Sequence, residues 1–182
     1  MPERPTIWTL GHSTRPIDEF IGLLRVHQIS LLVDVRTVPR SRYNPQFNTD
    51  QLALSLRDAG LRYRHLPELG GLRKPKKDSV NDGWRNASFR GYADYMQTDE
   101  FVNALEALMA ESQLQPTAIM CAEAVPWRCH RSLIADALAT RGWDSLHIMS
   151  ETKADPHTLT SFAHFEKGTL TYPKPTDPPS LF

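Results

Sequence analysis

Both cysteines of the chain lie in one loop, together with a glutamate, a histidine and arginines. The loop follows an apolar run at residues 117–121 and precedes a helical pattern at residues 132–141. Ligands of parallel α/β proteins bind beyond the carboxyl ends of the strands, and a helix N-terminus at that edge favours an anionic group. The chemically competent side chains of this loop are Cys121, Glu123, Arg128, Cys129, His130 and Arg131. We therefore expect the chemistry of the protein at this loop.

The two cysteines could act as nucleophiles or as core residues. Free cysteine is among the most buried residue types, so Cys121, which closes the apolar run, could be a small core side chain. A reactive thiol needs an electropositive surrounding, which His130 and Arg131 could supply. Cys129 is better placed for reactivity, because it is next to His130 and near a helix N-terminus that favours a thiolate.

Glu123 and His130 are candidate acid–base groups. A carboxylate and an imidazole in one enclosed cleft can be tuned towards neutral pH. Glu123 could instead form a structural ion pair with Arg128 or Arg131. The candidate catalytic residues are therefore Glu123, His130, Cys121 and Cys129.

The same loop also carries side chains of the types that bind zinc, and His12 is available from another loop. However, the separation between Cys121 and Cys129 is not one of the usual close ligand pairs. The adjacent Cys129 and His130 would also point in different directions on a helix. We predict no metal site and no other cofactor.

Two further loops carry polar side chains at the ends of predicted strands. His12 follows a β-rich run at residues 6–10, and the apolar run at residues 31–35 contains Asp34. A buried carboxylate needs a partner, and Arg36 would lie on the same face of that strand. Guanidinium groups suit bidentate anion recognition, so the arginines form a candidate clamp for a phosphate. The predicted substrate-binding residues are His12, Ser13, Asp34, Arg36, Arg40, Arg42 and Arg131.

Strand-like and helical patterns alternate along the chain. The strand-like runs end near Leu10, Val35, Leu66, Cys121 and Met149. This alternation predicts an α/β fold with a mostly parallel sheet of about five strands and helices on both faces. We expect a single α/β domain over residues 1–182, with an irregular Pro-rich tail from about residue 173.

Two segments between these elements have weaker patterns. Residues 67–91 are basic and interrupted by glycine and proline, and a loop of that length is typically functional, such as a lid. A short helix is predicted near residues 158–164.

The composition is ordinary for a soluble globular protein, with 40% apolar and 23% charged residues. No apolar run approaches the roughly 18 residues of a membrane span, and the N-terminus has no signal-peptide core. Two cysteines do not make a secreted disulfide framework. We expect a cytoplasmic protein with no membrane partner.

The net charge of zero hides an uneven distribution along the chain. Residues 36–90 contain 12 basic and 5 acidic side chains, a net charge of +7. This excess favours an anionic partner, either a small molecule or a nucleic acid, although a solvated basic loop would also account for part of it.

Several separated motifs resemble the Domain of Unknown Function 488 family over about residues 6–173. They are Gly11-His12-Ser13, Asp34-Val35-Arg36 with Pro39 and Ser41, Leu69-Gly70-Gly71, residues 92–96, and Cys121-Ala122-Glu123 followed by Pro126 and Cys129-His130-Arg131. The resemblance implies a cytoplasmic α/β protein with a shared set of polar loop residues, and no defined activity.

A second, fold-level resemblance is to rhodanese-like sulfurtransferases. It involves residues 32–36, the strand–cysteine–loop–helix unit, and residues 139–143 before a strand. The resemblance implies a persulfide carried at the position of Cys121, although this loop is longer than the rhodanese loop and contains Glu123. Three hypotheses follow: an acid–base enzyme acting on an anionic, phosphate-bearing or nucleotide-like substrate, thiol-based sulfur transfer at Cys121 or Cys129, and a nucleic-acid-binding or regulatory module without catalysis.

Overall fold

A computed structural model describes residues 3–176 of the chain. Six strands form one sheet: β1 (Thr6–Gly11), β2 (Leu31–Asp34), β3 (Arg62–His65), β4 (Thr117–Cys121), β5 (Asp144–Ser150) and β6 (Lys153–Pro156). The helices are α1 (Ile17–Val26), α2 (Thr49–Asp58), α3 (Ala87–Tyr95), α4 (Asp99–Leu114) and α5 (Arg131–Ala139). Strands β7 (His164–Glu166) and β8 (Thr169–Thr171) form a separate antiparallel ribbon.

The strand order in the sheet is β3-β2-β4-β1-β5-β6. The first five strands in the chain are parallel, and β6 is antiparallel to β5. The predicted α/β fold with a mostly parallel sheet is therefore confirmed, with one more strand than expected. Only a tight turn separates β5 from β6, and a short hairpin of this kind can join only antiparallel neighbours.

Apolar side chains alternate between the two faces of the central strands. In β4, Ala118 and Met120 pack with α1 and α2, whereas Ile119 and Cys121 pack with α3, α4 and α5. This is the two-sided burial expected of parallel strands covered by helices on both faces. Cys121 thus ends a central strand at the border between the core and the carboxyl edge of the sheet.

The segment at residues 158–164 differs from its predicted structure. It contains no helix, and β7 begins at His164. The backbone N–H and the hydroxyl of Thr160 donate to Asp136 at 3.0 and 2.6 Å. A helix of less than two turns has little stability of its own, so these tertiary hydrogen bonds determine the structure of the segment. Residues 173–176 have no regular secondary structure, and the rest of the predicted Pro-rich tail lies outside the described residues.

Helix α3 begins at Ala87, within the segment at residues 67–91 that was expected to be a loop. Asn86 caps the helix, because its side-chain oxygen accepts from the backbone N–H groups of Ser88 and Phe89. Within residues 3–176, none of the helices has the length and apolar character needed to cross a lipid bilayer.

Candidate functional site

A cavity of about 450 Å³ lies at the carboxyl edge of the sheet. Strands β1, β2 and β4 are neighbours whose ends lie in register, with Gly11 beside Cys121 and Asp34 beside Met120. Seven of the predicted site residues line this cavity: His12, Arg36, Arg40, Cys121, Glu123, Cys129 and His130. Loops that are far apart in the chain therefore meet here, because parallel strands end at one edge.

Four predicted substrate-binding residues do not line the cavity. Asp34 and Arg131 are fully buried behind its wall. Ser13 is partly buried and has a φ of 50°, with its N–H bonded to the carbonyl of Ala122. Arg42 is exposed to solvent. Of the predicted clamp, only Arg36 and Arg40 reach the cavity.

Asp34 and Arg36 form a buried bidentate ion pair. The Nε and Nη2 atoms of Arg36 donate to the two carboxylate oxygens of Asp34 at 2.9 and 2.7 Å, and the Tyr63 hydroxyl donates to the same carboxylate at 2.7 Å. A further bond joins Arg36 to the carbonyl of Phe47. These contacts occupy most of the guanidinium donors, so Arg36 mainly stabilises the loop after β2.

His12 is held as a neutral imidazole. Its Nδ1–H donates to the carbonyl of Ser13 at 2.7 Å, so Nε2 is the acceptor that faces Arg36 Nη1 at 3.3 Å. The ring stacks on Phe47 with centroids 4.3 Å apart. Burial lowers the pKa of His12, and the neighbouring Arg36 charge acts in the same direction. Nε2 of His12 can therefore accept a proton from a ligand only if it gives up its hydrogen bond from Arg36 Nη1.

Arg131 is the first residue of α5 and is 1% exposed. Its Nε donates to the Cys121 sulfur at 3.0 Å, Nη1 to the Thr9 hydroxyl oxygen at 3.1 Å, and Nη2 to the Glu123 carbonyl at 2.8 Å. It forms no ion pair with a carboxylate anywhere in residues 3–176. A cation at a helix N-terminus is electrostatically unfavourable, so helix stability does not explain Arg131.

The two thiols are free, and the Cys121 thiol donates to the Glu123 carbonyl at 3.8 Å. Burial raises the pKa of Cys121, and the neighbouring Cys129 sulfur raises it further. Burial also disfavours a Cys129 thiolate, but the neighbouring Cys121 thiol and the charge and backbone N–H of Arg131 outweigh it and lower the pKa of Cys129 to about 7. The pair can therefore carry one negative charge near neutral pH, on Cys129.

His130 lies beside this pair with a defined tautomer. Its Nε2–H donates to the carbonyl of Val35 at 2.8 Å, which leaves Nδ1 as an acceptor 3.5 Å from the Cys129 sulfur. Burial lowers the pKa of His130 and keeps the ring neutral. A Cβ added at Gly71 would lie 3.1 Å from this Nδ1, so the ring packs closely on the glycine backbone. The imidazole can therefore accept a hydrogen bond from a protonated Cys129 thiol.

Glu123 differs from the other predicted catalytic groups because it is exposed. Its backbone carbonyl accepts from Arg131, whereas its carboxylate makes no hydrogen bond to another protein group within residues 3–176. The loop also contacts β1, since a Cβ at Gly11 would lie 1.6 Å from the Glu123 carbonyl oxygen. Gly11 therefore permits the close approach that brings the His12 and Cys121 loops together.

One wall of the cavity comes from the segment at residues 67–91, which the site prediction left out. The wall residues from this segment and from α3 are Gly71, Leu72, Asn86, Ser88, Phe89 and Tyr92. The segment is anchored by Asp94, which accepts from the Lys76 N–H, the Ser79 hydroxyl and the Asn81 amide at 2.5–2.7 Å. The Asn86 cap was the sequence signal that could have placed Phe89 and Tyr92 on a helix facing the site.

No group of three or more histidine, cysteine, aspartate or glutamate side chains in the described part of the chain could hold a metal ion.

Comparison with known proteins gives a family and no activity. No curated protein and no solved structure matches the chain significantly. The family model described as domain of unknown function DUF488 matches residues 16–138, which is more than half of the 182 residues. The chain therefore belongs to the family of the domain of unknown function DUF488.

Proposed function

We propose that this protein is a cysteine-dependent enzyme that transfers sulfane sulfur from an anionic donor. The observation that carries the proposal is the buried Arg131 guanidinium, 3.0 Å from the Cys121 sulfur and without a carboxylate partner in residues 3–176. A buried charge without a counter-charge is costly. A negative charge on the thiol pair removes that cost, so the site favours a thiolate.

Cys129 is the proposed nucleophile. Its pKa of about 7 makes a large fraction of thiolate available at neutral pH. The thiolate attacks the outer sulfur of a donor such as thiosulfate, the S–S bond of the donor breaks, and sulfite leaves with the bonding electron pair. Cys129 then carries a persulfide. An acceptor thiolate attacks the outer sulfur of this persulfide and regenerates the Cys129 thiolate, so no external oxidant or reductant is needed.

The lining of the cavity supports an anionic donor. Arg40 and Arg128 line it, are exposed, and form no ion pair within residues 3–176. Guanidinium groups bind oxyanions through paired hydrogen bonds. Phe89 and Tyr92 add an aromatic wall, and sulfur makes favourable contacts with aromatic rings.

The resemblance to rhodanese-like proteins points to the same chemistry. In both cases a cysteine ends a central strand and is followed by a loop and a helix. The Cys121 loop differs because its second cysteine, Cys129, has the lower pKa of the two. We therefore assign the persulfide to Cys129.

The test is persulfide loading with thiosulfate. We expect the wild-type protein to gain the mass of one sulfur on Cys129 and to release thiocyanate when cyanide is added. Cys129→Ser should lose both signals. Arg40→Met should require a higher thiosulfate concentration, whereas Arg62→Met, at the opposite edge of the sheet, should behave as wild type. A wild-type protein that gains no sulfur and releases no thiocyanate would show that the proposal is wrong.

A second candidate is an acid–base enzyme acting on a phosphate-bearing substrate. It is favoured by the exposed Glu123 carboxylate, which lines the same cavity as His130 and Arg128. The two candidates respond differently to substitution. Glu123→Gln should abolish acid–base turnover but leave alkylation of Cys129 unchanged, whereas Cys129→Ser should affect only the thiol mechanism.

A further inference from the structure

A chain of buried hydrogen bonds runs from Arg131 to a carboxylate on the same helix. Arg131 Nη1 donates to the Thr9 hydroxyl oxygen at 3.1 Å, and this oxygen lies 2.7 Å from His147 Nδ1. His147 Nε2 lies 2.9 Å from His157 Nδ1, and His157 Nε2 lies 2.7 Å from Asp136. None of the last three residues was among the predicted site residues.

Asp136, at the end of this series of hydrogen bonds, is held by several donors. This carboxylate is fully buried and also accepts from the Thr160 N–H at 3.0 Å, the Thr160 hydroxyl at 2.6 Å and the Tyr172 hydroxyl at 2.8 Å. A carboxylate surrounded by donors stays an acceptor. The fourth partner, His157 Nε2, must therefore carry a hydrogen.

This requirement sets the direction of every other bond in the chain. With Nε2–H directed at Asp136, a neutral His157 accepts at Nδ1, so His147 must donate from Nε2. His147 then accepts at Nδ1 from the Thr9 hydroxyl. The Thr9 oxygen in turn accepts from Arg131, which can only donate. In this single arrangement, every polar side-chain atom of this series of hydrogen bonds has a partner.

The neutral state of His147 fits this arrangement. Burial lowers the pKa of His147 to about 4, and the neighbouring Arg131 charge acts in the same direction. Asp155, opposite His147 on β6, and Asp136 act in the other direction but do not outweigh them. His147 therefore stays an acceptor for Thr9 at neutral pH.

We propose that Thr9, His147, His157 and Asp136 are positioning residues that hold the Arg131 guanidinium against the cysteine pair. Of the three Arg131 acceptors, Thr9 is the one whose orientation is fixed by further side chains. With Thr9 held, the planar guanidinium presents its Nε to Cys121 and its Nη2 to the Glu123 carbonyl at the same time. The inference rests on the proposed function, because it assigns these four residues the task of setting the reactivity of the thiols.

The experiment measures the rate of Cys129 alkylation as a function of pH in Thr9→Val and Thr9→Ser. Valine has the shape of threonine but no hydroxyl, so it breaks the chain at one atom. We expect Thr9→Val to raise the pKa of the reactive thiol by about 1, which lowers the alkylation rate at acidic pH about tenfold. Thr9→Ser keeps the hydroxyl and should restore the wild-type profile while losing some packing.

His157→Leu, in an irregular segment after β6, gives a second measurement if Thr9→Val does not fold. His157→Leu should raise the pKa of the thiol in the same way. His157→Gln, whose amide can both donate to Asp136 and accept from His147, should do so less. A folded Thr9→Val or His157→Leu protein with the wild-type pH profile would overturn the positioning role. A wild-type protein without a thiolate near neutral pH would instead refute the proposed function.

Discussion

Replacing Arg131 with methionine should raise the pKa of Cys129 by roughly 1 to 3. Methionine keeps much of the volume of arginine and removes the charge that faces the thiol pair. Two unit charges about 4 Å apart interact by about 4 kcal/mol at an effective dielectric constant of about 20. At about 1.4 kcal/mol per pKa unit, this sets an upper limit of about 3. In Arg131→Met the neighbouring Cys121 thiol and the backbone N–H at the start of α5 still favour the Cys129 thiolate, so a shift of only about 1 is also consistent with the structure.

The assay for Arg131→Met is the pH profile of Cys129 alkylation, followed by mass spectrometry in folded protein. The wild-type rate should be half-maximal near pH 7, where the pKa of Cys129 lies. Arg131→Lys keeps the charge but not the three fixed donors, so its pKa should lie between those of wild type and Arg131→Met. If Arg131→Met folds and its profile coincides with that of wild type, Arg131 does not supply the counter-charge and the electrostatic argument is wrong.

Two further predictions concern stability and binding. The folded-state pKa of His147, about 4, is below its unfolded value of 6.5, so its contribution to stability is lost as pH falls through that interval. The free energy of unfolding of His147→Gln, measured in urea, should therefore depend less on pH in this interval than that of wild type. An equal pH dependence in both proteins would contradict the buried neutral state. If the basic region at residues 36–90 binds nucleic acid, anisotropy titrations should show an affinity that falls steeply as the salt concentration rises, because phosphate contacts release counterions. No binding at low salt would remove this alternative.

The fold was predictable because each central strand is a short apolar run followed by a helical pattern. The 31–35 run of β2 and the 117–121 run of β4 show this in the sequence alone. The edge strand β6 could not be recognised in the same way. Two of its four residues are charged and none is buried, and it is a strand because β5 provides an antiparallel partner.

The types and positions of its residues predicted that the cysteine loop would lie in a cleft at the sheet edge, and it lines a cavity there, but the contacts of Arg131 could not be predicted. An arginine near a helix N-terminus suggests an anion clamp, whereas here its side chain is buried against Cys121 and Thr9. His147, His157 and Asp136 could not be connected from sequence either. Each looks like an ordinary polar residue of its own segment, and only the packing of α5 against β5 and the residues after β6 brings them together.

The position of β1 in the sheet has a consequence for how the chain matures. Strand β1, the first in residues 3–176, lies between β4 and β5, with Trp8 paired to Ala118 and to Leu146. At roughly 5 to 20 residues per second, the ribosome needs on the order of 5 to 20 s between making β1 and making its first partner in the sheet. The Thr9–Arg131 bond cannot form before Arg131 and β4 have been made and β4 has paired with β1. If the proposed function is correct, the cysteine pair therefore gains its full reactivity only after these distant parts of the chain have folded together.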